Sequence, residues 1–210
     1  MKDQQVHPEL VTADIYRLLA ACYYQPTEAF LEENVFAQLA ELLALDAADH
    51  AATAEEMERI FRQVGAQALL LDYTRLFLGP FQIPAKPYGS VYLDGAHVVM
   101  GDSTMQALAA YRDGGFEVAA DFSEMPDHVA VELEFLYLLS FKIGQPGGTE
   151  GDRLSAVKKG FLNDHIGRWI PGLADAMRKH AETDYYRLLA DLTERFVLEE
   201  MQSREPVRSQ

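Results

Sequence analysis

The sequence predicts an all-α fold, a single domain of several packed helices over residues 1–210. Three observations point to it. Apolar residues recur at helical spacing through most of the chain, while strand-like alternation is scarce. Helix start and stop signals punctuate these stretches, among them Pro8, Pro26, Gly79, Gly114-Gly115, Pro126 and Gly144. Apolar residues make up 49% of the 210 positions, enough to bury a sizeable core and to exclude a globally disordered chain.

The elements follow in order. His7-Pro8-Glu9 opens a first helix, since proline is tolerated in a first turn, and it runs to about Tyr24, ahead of Pro26. Thr27 is a candidate cap for a second helix through about Leu45, with Glu28 placed well against the helix dipole. Thr53-Ala-Glu-Glu56 has the form of a capping box for a third helix. That helix carries Met57, Ile60, Phe61, Val64, Ala68 and Leu71 and continues to about Phe77, before Gly79.

From Gly79 to Gly101 the helical pattern lapses into a long irregular loop with three prolines and four glycines. Phe81, Ile83, Tyr88, Val91, Tyr92 and Leu93 make it too apolar for a solvated linker, so it packs on the domain or presents a surface to a partner. Ser103-Thr-Met-Gln106 is a second capping box, for a helix to about Asp113 ended by Gly114-Gly115. Pro126 opens the most apolar helix, ending at Gly144. Further helices are expected over about 152–164, 172–180 and 184–203, with a frayed tail beyond.

Charge and composition limit function. Asp and Glu number 33 against 18 Lys plus Arg, a formal charge of −15. Such a chain is a poor nucleic-acid binder. Its first 58 residues hold 12 acids and 2 bases, which repels an anionic membrane and attracts a basic partner. No apolar run approaches the ~20 residues needed to span a bilayer. No signal peptide is visible at Met-Lys-Asp-Gln-Gln, so a soluble, cytoplasmic protein is expected. The single cysteine, Cys22, sits in the apolar run Leu18–Tyr24 and reads as a core thiol; it excludes an internal disulfide framework.

The residues richest in chemistry lie in Glu124-Met-Pro-Asp-His-Val-Ala-Val-Glu132. Asp127 and His128 are placed in the first helical turn, with Glu132 four residues after His128. The helix is apolar nearly all round, so its carboxylates, Glu134 included, need partners or a wet cavity. Three readings stay open. Asp127 and His128 hold backbone groups; or they form a recognition surface for a cationic partner; or His128 and Glu132, with His165 as a further candidate, ligate a metal for a helical hydrolase. No metal motif, phosphate-binding loop, dinucleotide fingerprint or nucleophile elbow accompanies them. Tyr73, Leu76 and Phe77 form a stripe that is either core or, beside Pro87-Tyr88, the wall of an apolar peptide groove.

Taken in order, Tyr73-x-x-Leu-Phe-x-Gly79, Pro87-Tyr-Gly-Ser-Val-Tyr-Leu93, Gly101-Asp-Ser-Thr104 and Glu124-x-Pro-Asp-His128 followed by Glu132-Leu-Glu-Phe-Leu136 resemble the TorD/DmsD/NarJ family of redox-enzyme maturation chaperones. The resemblance covers about residues 10–200. It implies a helical bundle of the TorD/DmsD-like type, sometimes a domain-swapped homodimer and otherwise a monomer, with no catalysis and no cofactor. It implies binding of the twin-arginine signal peptide of a molybdopterin-containing oxidoreductase, which is withheld from export until its cofactor is in place. Residues matching the leader-binding region are Tyr73, Leu76, Phe77, Pro87, Tyr88, Gly101, Asp127 and His128. A carboxylate at Asp127 suits a bidentate arginine contact.

Overall fold

A computed structural model describes residues 7–45, 48–79, 83–95, 99–118, 124–146 and 150–202. Its helices are α1 (Pro8–Cys22), α2 (Ala29–Glu32), α3 (Val35–Leu43), α4 (Ala48–Tyr73), α5 (Gly89–Leu93), α6 (Asp102–Asp113), α7 (Val129–Gly144), α8 (Gly151–Phe161), α9 (Gly167–His180) and α10 (Asp184–Gln202). Single π turns, Thr74–Leu78 and Leu162–Ile166, extend α4 and join α8 to α9. Among the described residues the one β feature is an isolated antiparallel bridge between Tyr88 and His128. The all-α class holds.

Several boundaries differ from expectation, each for a local reason. The helix expected over 27–45 is split at Asn34, which takes the left-handed conformation (φ 53°) that asparagine tolerates better than most residues. Thr53 caps nothing: α4 already begins at Ala48, and the Thr53 hydroxyl donates back to the Asp49 carbonyl. Gly65 (φ 81°, ψ 156°) breaks α4 midway. Within the stretch expected to be irregular, α5 forms one short helix; residues 80–82 and 96–98 lie outside the described residues. The second capping box is also bypassed. Gly101 is the cap of α6, and Asp94, from the end of α5, accepts both the backbone N–H (3.0 Å) and the hydroxyl (2.6 Å) of Ser103.

No break separates residues 164 and 172: the π turn carries the chain straight into α9, ahead of Pro171. That wide turn depends on Gly167, whose N–H reaches the Leu162 carbonyl. A Cβ there would sit 2.5 Å from that carbonyl oxygen and 2.2 Å from Met201 Sδ. Met201 can swing away but the carbonyl cannot, so Gly167→Ala is expected to lose about 1–3 kcal/mol, measured by denaturant unfolding. The tail expected to fray from Ser203 lies outside the described residues.

Helix α1 packs along α7, α3 against α4, and α10 against both α9 and α4. One aromatic cluster joins Phe30, Phe36, Phe61 and Tyr185; another joins Tyr111, Phe116, Phe135 and Phe161. Buried polar ties fix the helix ends. Asp72 accepts from the Thr183 N–H and hydroxyl (2.8 Å each) and from Arg75 (2.8 Å), holding the start of α10. Lys158 of α8 bridges Glu9 of α1 (3.0 Å) and Glu200 of α10 (2.9 Å). Cys22 is buried, and burial pushes its thiol up to about 12, in keeping with a core role. Among the described residues, no helix is long and apolar enough to cross a membrane.

Candidate functional site

Two remote segments meet in front of α7. The chain entering α5 runs antiparallel to the chain entering α7: the Val129 N–H donates to the Pro87 carbonyl (2.9 Å) and the Gly89 N–H to the Asp127 carbonyl (2.8 Å). Pro126 and Asp127 therefore precede α7 instead of opening it. His128 is the cap, with Nδ1 accepting from the Ala130 N–H at 3.2 Å. Asp127 is fully buried, and its Oδ2 accepts from the Ser90 N–H at 2.9 Å, pinning the first turn of α5. Its Oδ1 has no partner among the described residues. In this conformation Asp127 binds backbone and faces no solvent.

The other expected residues fall into two groups. Tyr73, Leu76 and Phe77 lie in the core, where Phe77 meets Tyr23, Tyr73 and Tyr186, and the Tyr73 hydroxyl donates to the Tyr23 carbonyl. Pro87 is buried in the junction, whereas Tyr88 and Gly101 are half-buried. The His128 ring lies between Tyr24, stacked at 6.3 Å, and Tyr88, edge-on at 5.5 Å. Burial holds His128 below the ordinary imidazole value against the pull of Glu124 and Asp127, so the ring is neutral near pH 7.

The metal pairing of His128 with Glu132 left open by their spacing is not formed. Glu132 is fully buried and turned the other way, accepting from Trp169 Nε1 (2.9 Å) and pairing with His165 Nε2 (2.8 Å). Burial raises Glu132 above the usual carboxylate range although His165 and Trp169 oppose it. Burial would lower His165, yet the Glu132 carboxylate, with smaller help from Asp127 and Asp94, makes the net shift upward. Among the described residues no three His, Cys, Asp or Glu groups converge as a metal site. Gly89 completes this cluster: a Cβ there would lie 3.0 Å from Trp169 Nε1 and 3.2 Å from Glu132 Oε1, so the junction closes only over glycine.

An open surface adjoins the junction. Glu134, half-buried on the outward side of α7, accepts from the Tyr24 hydroxyl at 2.9 Å. It lines two clefts. One, of about 160 Å³, is walled by Tyr111, Phe116, Val131 and Phe135. The other, of about 330 Å³, is walled by Ala21, Tyr24 and Tyr137, with Arg17 at its edge. Leu138 belongs to both. The Glu124 carboxylate lies close enough to raise the hydroxyl pKa of Tyr24, Tyr73 and Tyr88, after the larger effect of burial. The surface beside the family motifs is thus apolar, tyrosine-rich and acidic. Tyr24, Glu124 and Glu134 were not among the expected contacts. For Glu134 the signal was present, as an acid on a helix apolar nearly all round.

Residues 33–175 match the nitrate reductase delta subunit family. The chain is 30% identical over 134 residues to the Tat proofreading chaperone DmsD of Salmonella typhi, covering 63% of this chain and 60% of that protein. It is 29% identical over 141 residues to the perchlorate reductase assembly chaperone protein of Dechloromonas aromatica, covering 62% of each. These alignments span about three fifths of those relatives. The fold is similar to a crystal structure of an Archaeoglobus fulgidus protein assigned to redox enzyme maturation, with a TM-score of 0.57 at 23% identity, over 89% of this chain and 93% of the other.

Proposed function

The chain belongs to the TorD/DmsD/NarJ family, a family of chaperones and not of enzymes, and from that premise we propose that it assists the maturation of a molybdoenzyme by binding the twin-arginine signal peptide of the catalytic subunit. Folding, cofactor insertion and proofreading before export would take place in the cytoplasm, where the leader is still attached. The observation that supports this most is the position of the Tyr88–His128 bridge. It joins two of the stretches carrying the resemblance and sets them beside apolar clefts with an acid between them. A leader combining Arg-Arg with an apolar stretch needs both features.

Within that proposal the eight expected residues divide by what they touch. Tyr88, half-buried and edge-on to the His128 ring, is the one assigned here to meet the leader directly. Pro87, Asp127 and His128 hold Tyr88 in position through the paired backbone. Tyr73, Leu76 and Phe77 support the junction from the core, and Gly101 sets the start of α6.

Calorimetry of the full chain with a twin-arginine leader peptide tests the proposal. Binding should weaken with rising salt. A Tyr88→Ala change should weaken it by about tenfold, the loss of one aromatic anchor of about 1.4 kcal/mol. Failure of the protein to bind any twin-arginine leader would overturn the assignment.

A further inference from the structure

The leader's arginines need a carboxylate they can reach, and Asp127 is enclosed and already engaged with Ser90. Glu134 is different. It stands where the two apolar clefts meet, so an occupant lying across them passes over it. One of its oxygens takes the Tyr24 hydroxyl, a neutral donor, and no ion pair forms at it among the described residues. Arg17, the cation at the edge of the same cleft, is turned to Asp14 at 3.1 Å, one turn away on α1. Burial holds Glu134 above the ordinary glutamate range against the Tyr24 hydrogen bond, so the empty site leaves a partly desolvated acid without a counter-charge.

A second observation points the same way. Asp127 Oδ1 is a fully buried acceptor without a partner, on the residue next to the His128 ring that stacks on Tyr24. Glu124 adds its field to the same tyrosines. Glu134 and Glu124 thus act on Tyr24, and Glu124 and Asp127 on Tyr88 and His128, so the ring cluster beside the clefts lies in a negative field.

We propose that Glu134, with Tyr24 beside it, is the seat of one leader arginine. The occupant is an extended or helical segment whose apolar side chains fill the clefts on either side while one guanidinium pairs with Glu134. Arginine fits better than lysine. Its planar fork can take both carboxylate oxygens and lie against a tyrosine ring, and it is more weakly hydrated than an ammonium. The inference rests on the leader-binding proposal and names the residue that would read the arginine.

The test compares four titrations by calorimetry: the wild-type chain with an Arg-Arg and with a Lys-Lys leader, and Glu134→Gln and Glu56→Gln each with the Arg-Arg leader. Glu56 is a half-exposed surface acid of α4 paired with Arg59, so its loss changes net charge equally without touching the clefts. Glu134→Gln should weaken Arg-Arg binding at least about tenfold and bring it close to the wild-type affinity for Lys-Lys, while Glu56→Gln should change it less than about twofold. Circular dichroism confirms that each variant is folded. If the wild-type chain binds and Glu134→Gln binds equally well, or if Glu56→Gln loses as much, the seat is elsewhere and leader binding still stands. If the wild-type chain binds neither leader, the proposal beneath fails.

Discussion

Glu132→Ala is expected to lower the unfolding free energy by about 3–5 kcal/mol, the range for removing one member of a buried, hydrogen-bonded charged pair. The carboxylate is the common acceptor of Trp169 Nε1 and partner of His165 Nε2, and nothing else in the described cluster replaces it. Its loss strands two buried donors and leaves a void under Gly89. Denaturant unfolding measures the change; a loss below about 1 kcal/mol would show that water enters and serves both donors.

The same pair sets a pH dependence. His165 is raised in the fold, so its stabilisation is complete below the ordinary imidazole value of 6.5 and is lost as pH rises through the folded value. Glu132 is also raised, so the fold binds its proton more tightly and its contribution likewise declines upward from 4.5. His128 is lowered and acts oppositely, costing stability as pH falls below 6.5. Above pH 6.5 the His165 effect should dominate. Stability measured from pH 6.5 to 8 should fall, and His165→Gln should flatten that slope.

Asp127→Ala is expected to cost about 1–3 kcal/mol of stability, because the buried Ser90 N–H loses its acceptor at the start of α5. Leader affinity should fall with it, since the backbone that carries Tyr88 is held at this point. Asp127→Asn keeps an acceptor oxygen and should keep most of both. Unfolding and calorimetry on the two variants separate the roles. An Asp127→Ala protein of full stability that no longer binds would mean that Asp127 touches the leader itself.

The helical class was legible because apolar spacing and the placement of Pro8, Pro26, Gly79 and Gly144 are local signals. What escaped was decided at a distance. Ser103 looked like a cap, but Asp94 takes its N–H from another helix. Asp127 looked like a helix-start carboxylate, but its donor is a main-chain group 37 residues earlier. Glu132, an acid on an apolar helix, demands a partner, yet neither His165 nor Trp169 stands in a spacing that names them. The π turn before Gly167 has no periodic signature at all. Glu134 showed the reverse: the sequence exposed the conflict of an acid among apolar neighbours, and only the fold supplied Tyr24 as the group that meets it.

Trp169 is the only tryptophan in the chain, and it lies buried with its ring stacked at 5.7 Å on Tyr92 and its N–H on Glu132. The whole intrinsic indole emission of this protein therefore originates a few ångströms behind the Tyr88 strap. Any event that shifts that strap, or changes the ionisation of Glu132, is reported by a single fluorophore without a label or an engineered reporter.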